Sequence, residues 1–358
     1  MKESDKKYRI KDIALMAGVS EGTVDRVLHN RGEVSQKSKE AILKVLEEIN
    51  YSPNLLARSL ASKKHYNFIC LIPSFHQGEY WELIENGFRQ AGRDFLQYNI
   101  HIDILYFNQF DNNSFKLLTN DIIGRHPDAV IIAPIFREET LVLTKILQKE
   151  EIPFSYIDSI IEDSGYTTYY GQNSFQSGYV AAKLLVNDLP QNSKVLVLRT
   201  KRQGSMSNQT KSRYEGFMNY LQEHKALTIQ LVHAEISSTD DSLNLENIKQ
   251  IFTDNPEINA AITFNSKVYR LANYLKQLNY HSIRLIGYDL LKKNVEYLKQ
   301  DVISYLIAQS PGKQAYFTVR DLCNKLILKQ EVNKINFVPV DILIKENITD
   351  YIQFREKF

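Results

Sequence analysis

Residues 12–61 read DIALMAGVSEGTVDRVLHNRGEVSQKSKEAILKVLEEINYSPNLLARSLA, and three short helices can be drawn through the first part of this stretch. Ile13, Ala14 and Ala17 share one face of a helix expected from about Ile10 to Ala17. Gly18, which accepts a positive φ without a Cβ clash, ends it. Ser20 is placed to cap a second helix from Glu21 to His29, with Val24, Val27 and Leu28 as its apolar face. A third helix starts after Ser35 and carries Ala41, Ile42, Val45, Leu46 and Ile49 on one stripe. Two helices joined by a glycine turn and closed by a third form a helix-turn-helix. A small helical hairpin with no nucleic-acid role has the same outline, but Ala14, Gly18 and Val24 keep the spacing that lets the first two helices cross closely. In a helix-turn-helix the second helix enters the major groove, its N-terminal residues toward the base edges. The candidate DNA contacts there are Ser20, Glu21, Thr23, Asp25, Arg26, His29 and Asn30. Arg26 can donate a bidentate pair to guanine, and Thr23 and Asn30 can meet phosphate or base.

Pro53 stops the third helix, and Asn54 can cap a short helix running to Ala61 with Leu55, Leu56 and Leu60 apolar. Two helical turns do not persist alone in water, so this segment is a candidate for folding only when docked. From Asp12 to Ala61, without a gap, the chain resembles the DNA-binding end of the LacI/GalR family, which includes the lactose and purine repressors. The resemblance implies that the hinge helices of two subunits pair in the minor groove, where Leu60 wedges between central base pairs and kinks the duplex. Asn54 and Arg58 join Leu60 as expected DNA contacts of that hinge. One residue departs from the family's T-V-S-R: this chain has Thr23-Val24-Asp25-Arg26. A carboxylate is repelled by phosphate, so Asp25 either buttresses Arg26 or accepts from cytosine, and the operator sequence does not transfer from relatives.

The charge distribution agrees with a basic head on a larger body. The 358 residues carry a net charge of +2, yet residues 1–66 hold 13 Lys/Arg against 9 Asp/Glu while the remainder is slightly acidic. With 43% hydrophobic and 24% charged residues, the composition is that of a soluble globular protein of two or three domains. The longest apolar runs, such as Ala129 to Ile135, are strand-length rather than membrane-length. The opening MKESDKKYRIKD lacks the apolar core of a secretory signal, so a cytoplasmic protein with no membrane partner is expected. Cys70 and Cys323 each sit in apolar sequence and read as buried free thiols. No metal-ligand spacing occurs, and neither metal nor cofactor is expected.

Beyond Asn67, apolar segments such as FICLIPSF, IHIDILYF, DAVIIAPI, KVLVLRT and IRLIGYD alternate with helical patterns, among them helices expected around Trp81 to Asn99 and from Tyr214 to Glu223. Fully apolar strands between helices imply parallel sheets covered on both faces. The expected fold is an all-α helix-turn-helix headpiece over residues 1–50, a hinge over 51–65, and an α/β sensor over 66–358 built as two doubly wound parallel-sheet lobes. Lobe 1 spans about 66–171 and 311–338, and lobe 2 about 172–310 and 339–358.

Ligands of open α/β sheets sit at the carboxyl ends of the strands, where Ser74, Asp158, Asn173, Asn265 and Asp289 fall. This part resembles the periplasmic sugar-binding-protein fold that the family uses as its sensor. The resemblance implies a sugar site made of the aromatic pair Tyr80 and Trp81, Asp158, Asn173, Arg213 of RYEGF, Asn265, Asp289 of GYD and Gln309 of AQSP. The chemistry is coherent, since Asp, Asn, Gln and Arg bond sugar hydroxyls and an indole stacks on a pyranose face. Ser266 departs from the aspartate usual after the asparagine.

The function expected is a ligand-responsive, sequence-specific DNA-binding regulator of carbohydrate-utilisation genes, in the first instance a repressor. Its expected partners are a palindromic operator in double-stranded DNA, a sugar or sugar derivative, and a second copy of the chain. A dimer rather than a tetramer is expected, because Lys345 to Phe358 shows no leucine heptad. The nearest rival, a solute-binding protein of a sugar transporter, requires an export signal and has no helix-turn-helix. An enzyme is disfavoured because no GxSxG, HExxH or P-loop appears.

Overall fold

The computed structural model describes residues 8–28, 32–49, 64–200, 207–224, 228–237 and 240–355. The chain divides into two compact units, Met1–Ala61 and Ser62–Phe358. The first unit contains α1 (Ile10–Ala17), α2 (Glu21–Leu28) and α3 (Gln36–Glu48). Gly18 caps α1 at φ 64°, and the Val19 amide returns to the Ala14 carbonyl at 3.0 Å. Ser20 Oγ accepts from the Thr23 amide at 3.2 Å and opens α2, while Ser35 Oγ does the same for the Ser38 amide of α3 at 3.3 Å. Ile13, Val24 and Ile42 meet in the centre of the three helices, each fully buried and each contributing about 1.5–3 kcal/mol of apolar burial. His29, Asn30, Asn54, Arg58 and Leu60, and with them the expected hinge helix, lie outside the described residues.

The second unit holds two six-stranded sheets. The first is built from β1 (Tyr66–Pro73), β2 (Ile100–Phe107), β3 (Ala129–Ile132), β4 (Phe154–Asp158), β5 (Tyr169–Gln172) and β11 (Ile335–Val338), in the order β11-β5-β4-β3-β1-β2 with every pairing parallel. The second is built from β6 (Lys194–Thr200), β7 (Gln230–Ile236), β8 (Ile258–Thr263), β9 (Arg284–Tyr288), β10 (Tyr305–Ala308) and β12 (Asp341–Leu343), in the order β12-β10-β9-β8-β6-β7. Its β10–β12 pairing is antiparallel, an edge strand on an otherwise parallel sheet. The helices that matter for the cleft are α4 (Tyr80–Asp94) in the first lobe and α7 (Ser174–Val186), α8 (Asn208–Glu223), α9 (Asp241–Asp254), α10 (Val268–Gln277) and α11 (Lys292–Lys299) in the second, with α5 (Asn112–Gly124) and α6 (Arg137–Lys149) covering the first sheet.

Two helices differ from the sequence expectation. The helix expected to run to Asn99 stops at Asp94, and a 3-10 turn over Leu96–Tyr98 follows, closed by Asn99 at φ 52°. Asparagine tolerates that left-handed conformation. The helix expected from Tyr214 begins six residues earlier at Asn208, because Ser207 Oγ accepts from the Thr210 amide at 3.3 Å. This earlier start brings a polar first turn into the site described below.

The chain passes between the two sheets at Gln172–Asn173, at Gln309–Ser310 and at Pro339–Val340. Gln172 fastens the three passages together: its Nε2 donates to the Ala308 carbonyl at 2.9 Å and to the Pro339 carbonyl at 3.2 Å.

Candidate functional site

The carboxyl ends of β1, β4, β6, β8 and β9 converge on a cleft of about 1160 Å³ between the lobes. Asp158, the last residue of β4, and Asp289, just after β9, hold left-handed backbones at φ 68° and 71°. Such conformations are costly for a non-glycine residue and are retained where the surroundings demand them, commonly at ligand sites. Both carboxylates are buried. Tyr80 Oη donates to Asp158 Oδ1 at 2.6 Å, and Gln209 Nε2 donates to the same oxygen at 2.8 Å. Gln209 Nε2 also lies 3.2 Å from Gln309 Oε1, and Gln309 Nε2 donates to Asp289 Oδ1 at 3.0 Å. A continuous polar chain therefore runs from the first lobe, through the first turn of α8, to the second lobe.

Burial pushes the Asp158 carboxyl above its ordinary pKa, against the pull of the Tyr80 hydroxyl, the Arg213 charge and the Gln209 amide. Burial likewise raises the Tyr80 phenol well above its usual value, helped by the charges of Asp158 and Asp289, so Tyr80 stays protonated as a donor. Trp81 lines the cleft beside Tyr80, their rings edge-to-face at 5.1 Å.

Arg213 lies on α8, wholly buried, its guanidinium 3.8 Å above the Tyr288 ring and its Nη1 donating to the Phe264 carbonyl at 3.0 Å. Nε and Nη2 find no acceptor among the described residues. A buried donor left unmet costs about 1–3 kcal/mol, so these two nitrogens are suited to an oxygen-rich ligand or to water. Close packing fixes this helix. A Cβ on Gly178 of α7 would sit 1.8 Å from the Arg213 carbonyl oxygen, and one on Gly216 of α8 would sit 1.9 Å from that of Phe175.

Ser74 is exposed on the cleft wall, and Asn265 lines it with Oδ1 accepting from the Lys267 amide at 2.8 Å. Asn173 stands apart: it caps α7, accepting from the Gln176 amide at 2.9 Å, and does not line the cleft. The structure thus brings Tyr80, Trp81, Asp158, Asn265, Asp289 and Gln309 together, with Arg213 immediately behind.

Three further residues went unread in the sequence. Gln209 links the lobes but sits in a helix turn with no apolar pattern to announce it. Asn294, fully buried on α11, donates to the carbonyls of Ser266, Tyr288 and Asp289 and ties the β8 and β9 ends together. Lys267, next to the departing Ser266, pairs with Glu79 at the foot of α4. A buried carboxamide inside an otherwise amphipathic helix is the signal that could have found Asn294.

In the first unit, Ser20, Glu21 and Arg26 are exposed on α2, and Thr23 and Asp25 are half-buried. The Thr23 hydroxyl lies 2.8 Å from Ser20 Oγ, so part of its bonding capacity serves the helix start. The described residues contain no grouping of His, Cys, Asp and Glu able to hold a metal ion. No helix among them is long and apolar enough to cross a membrane.

A helix-turn-helix in one chain with a two-lobed α/β domain, whose cleft is lined with hydrogen-bonding side chains and an indole, defines a ligand-sensing transcriptional regulator. Comparison with known proteins agrees. Residues 9–54 match the model of bacterial regulatory proteins of the lacI family, and residues 69–330 match the periplasmic binding protein domain. A solved structure from Bacteroides fragilis, described as a LacI transcriptional regulator, is 37% identical with a TM-score of 0.76, covering 80% of this chain and 99% of that one. The HTH-type transcriptional regulator MalR of Streptococcus pneumoniae is 25% identical over 281 residues, 74% of this chain and 79% of its own length. The ribose operon repressor of Lactococcus lactis is 25% identical over 291 residues, 78% and 80% of the two chains. The chain belongs to the LacI family of transcriptional regulators, and its relatives are regulators rather than enzymes.

Proposed function

We propose that this chain is a homodimeric, non-catalytic repressor of carbohydrate-utilisation genes that works in the cytoplasm and releases or grips a palindromic operator according to the sugar in its cleft. The observation that carries the sugar reading is the polar chain Tyr80–Asp158–Gln209–Gln309–Asp289 beside the Trp81 indole. Paired carboxylates and carboxamides supply bidentate acceptors and donors for neighbouring hydroxyls, and the indole supplies an apolar face. The name of the ribose operon repressor among the relatives points the same way. For DNA, the reading places the exposed Glu21 and Arg26 of α2, with Ser20, Thr23 and Asp25, at the major groove, and Asn54, Arg58 and Leu60 at the minor groove. Ligand and operator are coupled through lobe closure, and the coupling is reciprocal.

The test has two arms. Selection from a random duplex pool is expected to return a two-fold symmetric site whose affinity falls steeply with salt. A thermal-shift screen of neutral sugars is expected to give a hit that changes operator affinity, with Asp289→Ala abolishing that response while the free protein still binds operator. Failure to enrich any duplex sinks the regulator reading, and an effector that binds Asp289→Ala with unchanged affinity sinks the cleft assignment.

A further inference from the structure

Gln209 reaches into the cleft from the first turn of α8, which the Ser207 hydroxyl fixes by accepting from the Thr210 amide, and it lies half-buried on the cleft wall. A carboxylate oxygen only accepts, so the end of Gln209 that faces Asp158 is its amide nitrogen. The far side of the same carboxamide is consistent with that orientation. Gln309 turns its own nitrogen to Asp289 Oδ1 at 3.0 Å, which leaves its Oε1 toward Gln209 at 3.2 Å. Both N–H bonds of the Gln209 amide are thus committed to protein acceptors, Asp158 Oδ1 at 2.8 Å and Gln309 Oε1.

These bonds fill Asp158 Oδ1. A carboxylate oxygen offers about two acceptor sites, and Tyr80 at 2.6 Å and Gln209 at 2.8 Å take both. A ligand hydroxyl reaches that oxygen only by displacing one of them, and Gln209 holds the longer bond. The same bonds tie the lobes, because Asp158 ends β4 of the first lobe and α8 belongs to the second. The close approaches at Gly178 and Gly216 lock α8 against α7, so a pull on Gln209 acts on the whole lobe. A bond to a buried carboxylate is stronger than one in water, whereas the Glu79–Lys267 pair that also joins the lobes is partly exposed and worth less.

We infer that Gln209 is a built-in latch: its amide stands on Asp158 in the place of an effector hydroxyl and holds the two lobes together, and the effector displaces it on binding. This rests on the sugar reading only for the identity of the effector, and adds to it a control on lobe closure. The sign of its effect follows. A latch that is broken in the complex stabilises only the free protein, so removing it tightens effector binding. A side chain that touches the effector does the opposite when removed.

The test uses the full chain with Gln209→Ala, and with Gln209→Glu, which keeps the side-chain length but replaces the donor by a carboxylate that Asp158 repels. Trp81, the one tryptophan of the sequence, lines the cleft at 6% exposure and reports its opening. With no saccharide added, both variants are expected to red-shift Trp81 emission and to raise its quenching by acrylamide. Emission and quenching unchanged from wild type overturn the latch. Calorimetry follows with D-ribose, D-arabinose, D-glucose, D-galactose and maltose. Any of these that binds wild type is expected to bind Gln209→Ala about two- to tenfold tighter, the worth of one typical hydrogen bond. Equal or weaker binding by Gln209→Ala overturns the displacement, and weaker binding makes Gln209 a direct effector contact. If the cleft opens in both variants and no saccharide binds any of the three proteins, the latch stands and the sugar reading alone falls.

Discussion

Glu79, the residue before α4 of the first lobe, and Lys267, the residue before α10 of the second, are joined across the cleft mouth by a 2.7 Å ion pair. Burial raises the Glu79 carboxyl, but the bonds from Lys267 and from the His76 amide outweigh it and leave its pKa below the ordinary glutamate value. A depressed folded-state pKa means that the stabilisation is present above the ordinary glutamate pKa and is lost as pH falls through the depressed one.

The pair therefore favours the arrangement of the lobes in which it forms. Lys267→Met removes it while keeping the stem. A partly exposed pair contributes about 0.2–1 kcal/mol, so effector binding is expected to weaken by up to about fivefold. Only as pH falls through the depressed Glu79 value should the wild type converge on the variant. Calorimetry from neutral pH stepwise down to about pH 3 checks this. An effect that is equal across this range would assign Lys267 to direct ligand contact instead.

Asp158 shows a different balance. Its raised pKa means that ionised Asp158 costs folded stability at neutral pH, and that this cost disappears as pH falls below the ordinary aspartate value. Tyr80 and Gln209 both donate to Oδ1, which an asparagine can retain. Asp158→Asn should therefore unfold at a higher temperature than wild type at pH 7 to 8, with the difference shrinking toward about pH 3, and should lose effector binding. Thermal melts of both proteins across this range decide it. A variant less stable than wild type at neutral pH contradicts the assignment of burial as the dominant influence.

Asp158 and Asp289 were legible in the sequence for the reason that makes them special. Each closes an apolar strand, FSYID or IRLIGYD, and the end of a buried parallel strand is where a polar residue has to reach a cleft. The buried strands β1, β3, β6 and β9 were legible in the same way, each lying in a continuous apolar run such as DAVIIAPI around the four residues of β3. The segments YYGQ, YLIA, INFV and DIL were not read as strands, because each is three or four residues long and has no longer apolar run around it to mark it, as β3 has. These four strands flank the passages between the sheets, so the sequence said least where the lobes are joined. Gln209 and Gln172 act across 51 and 136 residues of chain, and no local pattern encodes such partners.

Gly216 tests how tightly α8 is positioned. The Phe175 carbonyl, 1.9 Å from where a Cβ would sit, is backbone and yields little. Gly216→Ala is expected to destabilise the protein by about 1–3 kcal/mol and to displace Arg213, one turn earlier on the same helix, with loss of effector binding. Gly92 of α4 is the control, since its added Cβ would meet only Ile102 Cδ1 at 3.6 Å. Gly92→Ala should be neutral or stabilising by about 0.4–1 kcal/mol. Urea unfolding of the two variants separates tight packing from a general intolerance of alanine. Equal losses in both would show that the α7–α8 contact is not what fixes the helix.

Arg26 tests the DNA-reading helix. Its side chain is exposed on α2, whose first turn is pinned by the Ser20 hydroxyl and whose inner face is pinned by the fully buried Val24. Removing the guanidinium therefore leaves the helix intact. If Arg26 donates to a guanine edge, Arg26→Ala should cost about 1–3 kcal/mol on the cognate operator and relax preference at one base pair of each half-site. Binding to unrelated duplex, and the salt dependence of that binding, should barely change. A phosphate contact behaves otherwise: affinity falls almost uniformly across sequences, and the salt slope drops by about one. Gel shifts of wild type and variant, on cognate and scrambled duplexes at three salt concentrations, distinguish the two. Equal losses on both duplexes would move Arg26 from the bases to the backbone and reopen which residues of α2 read the sequence.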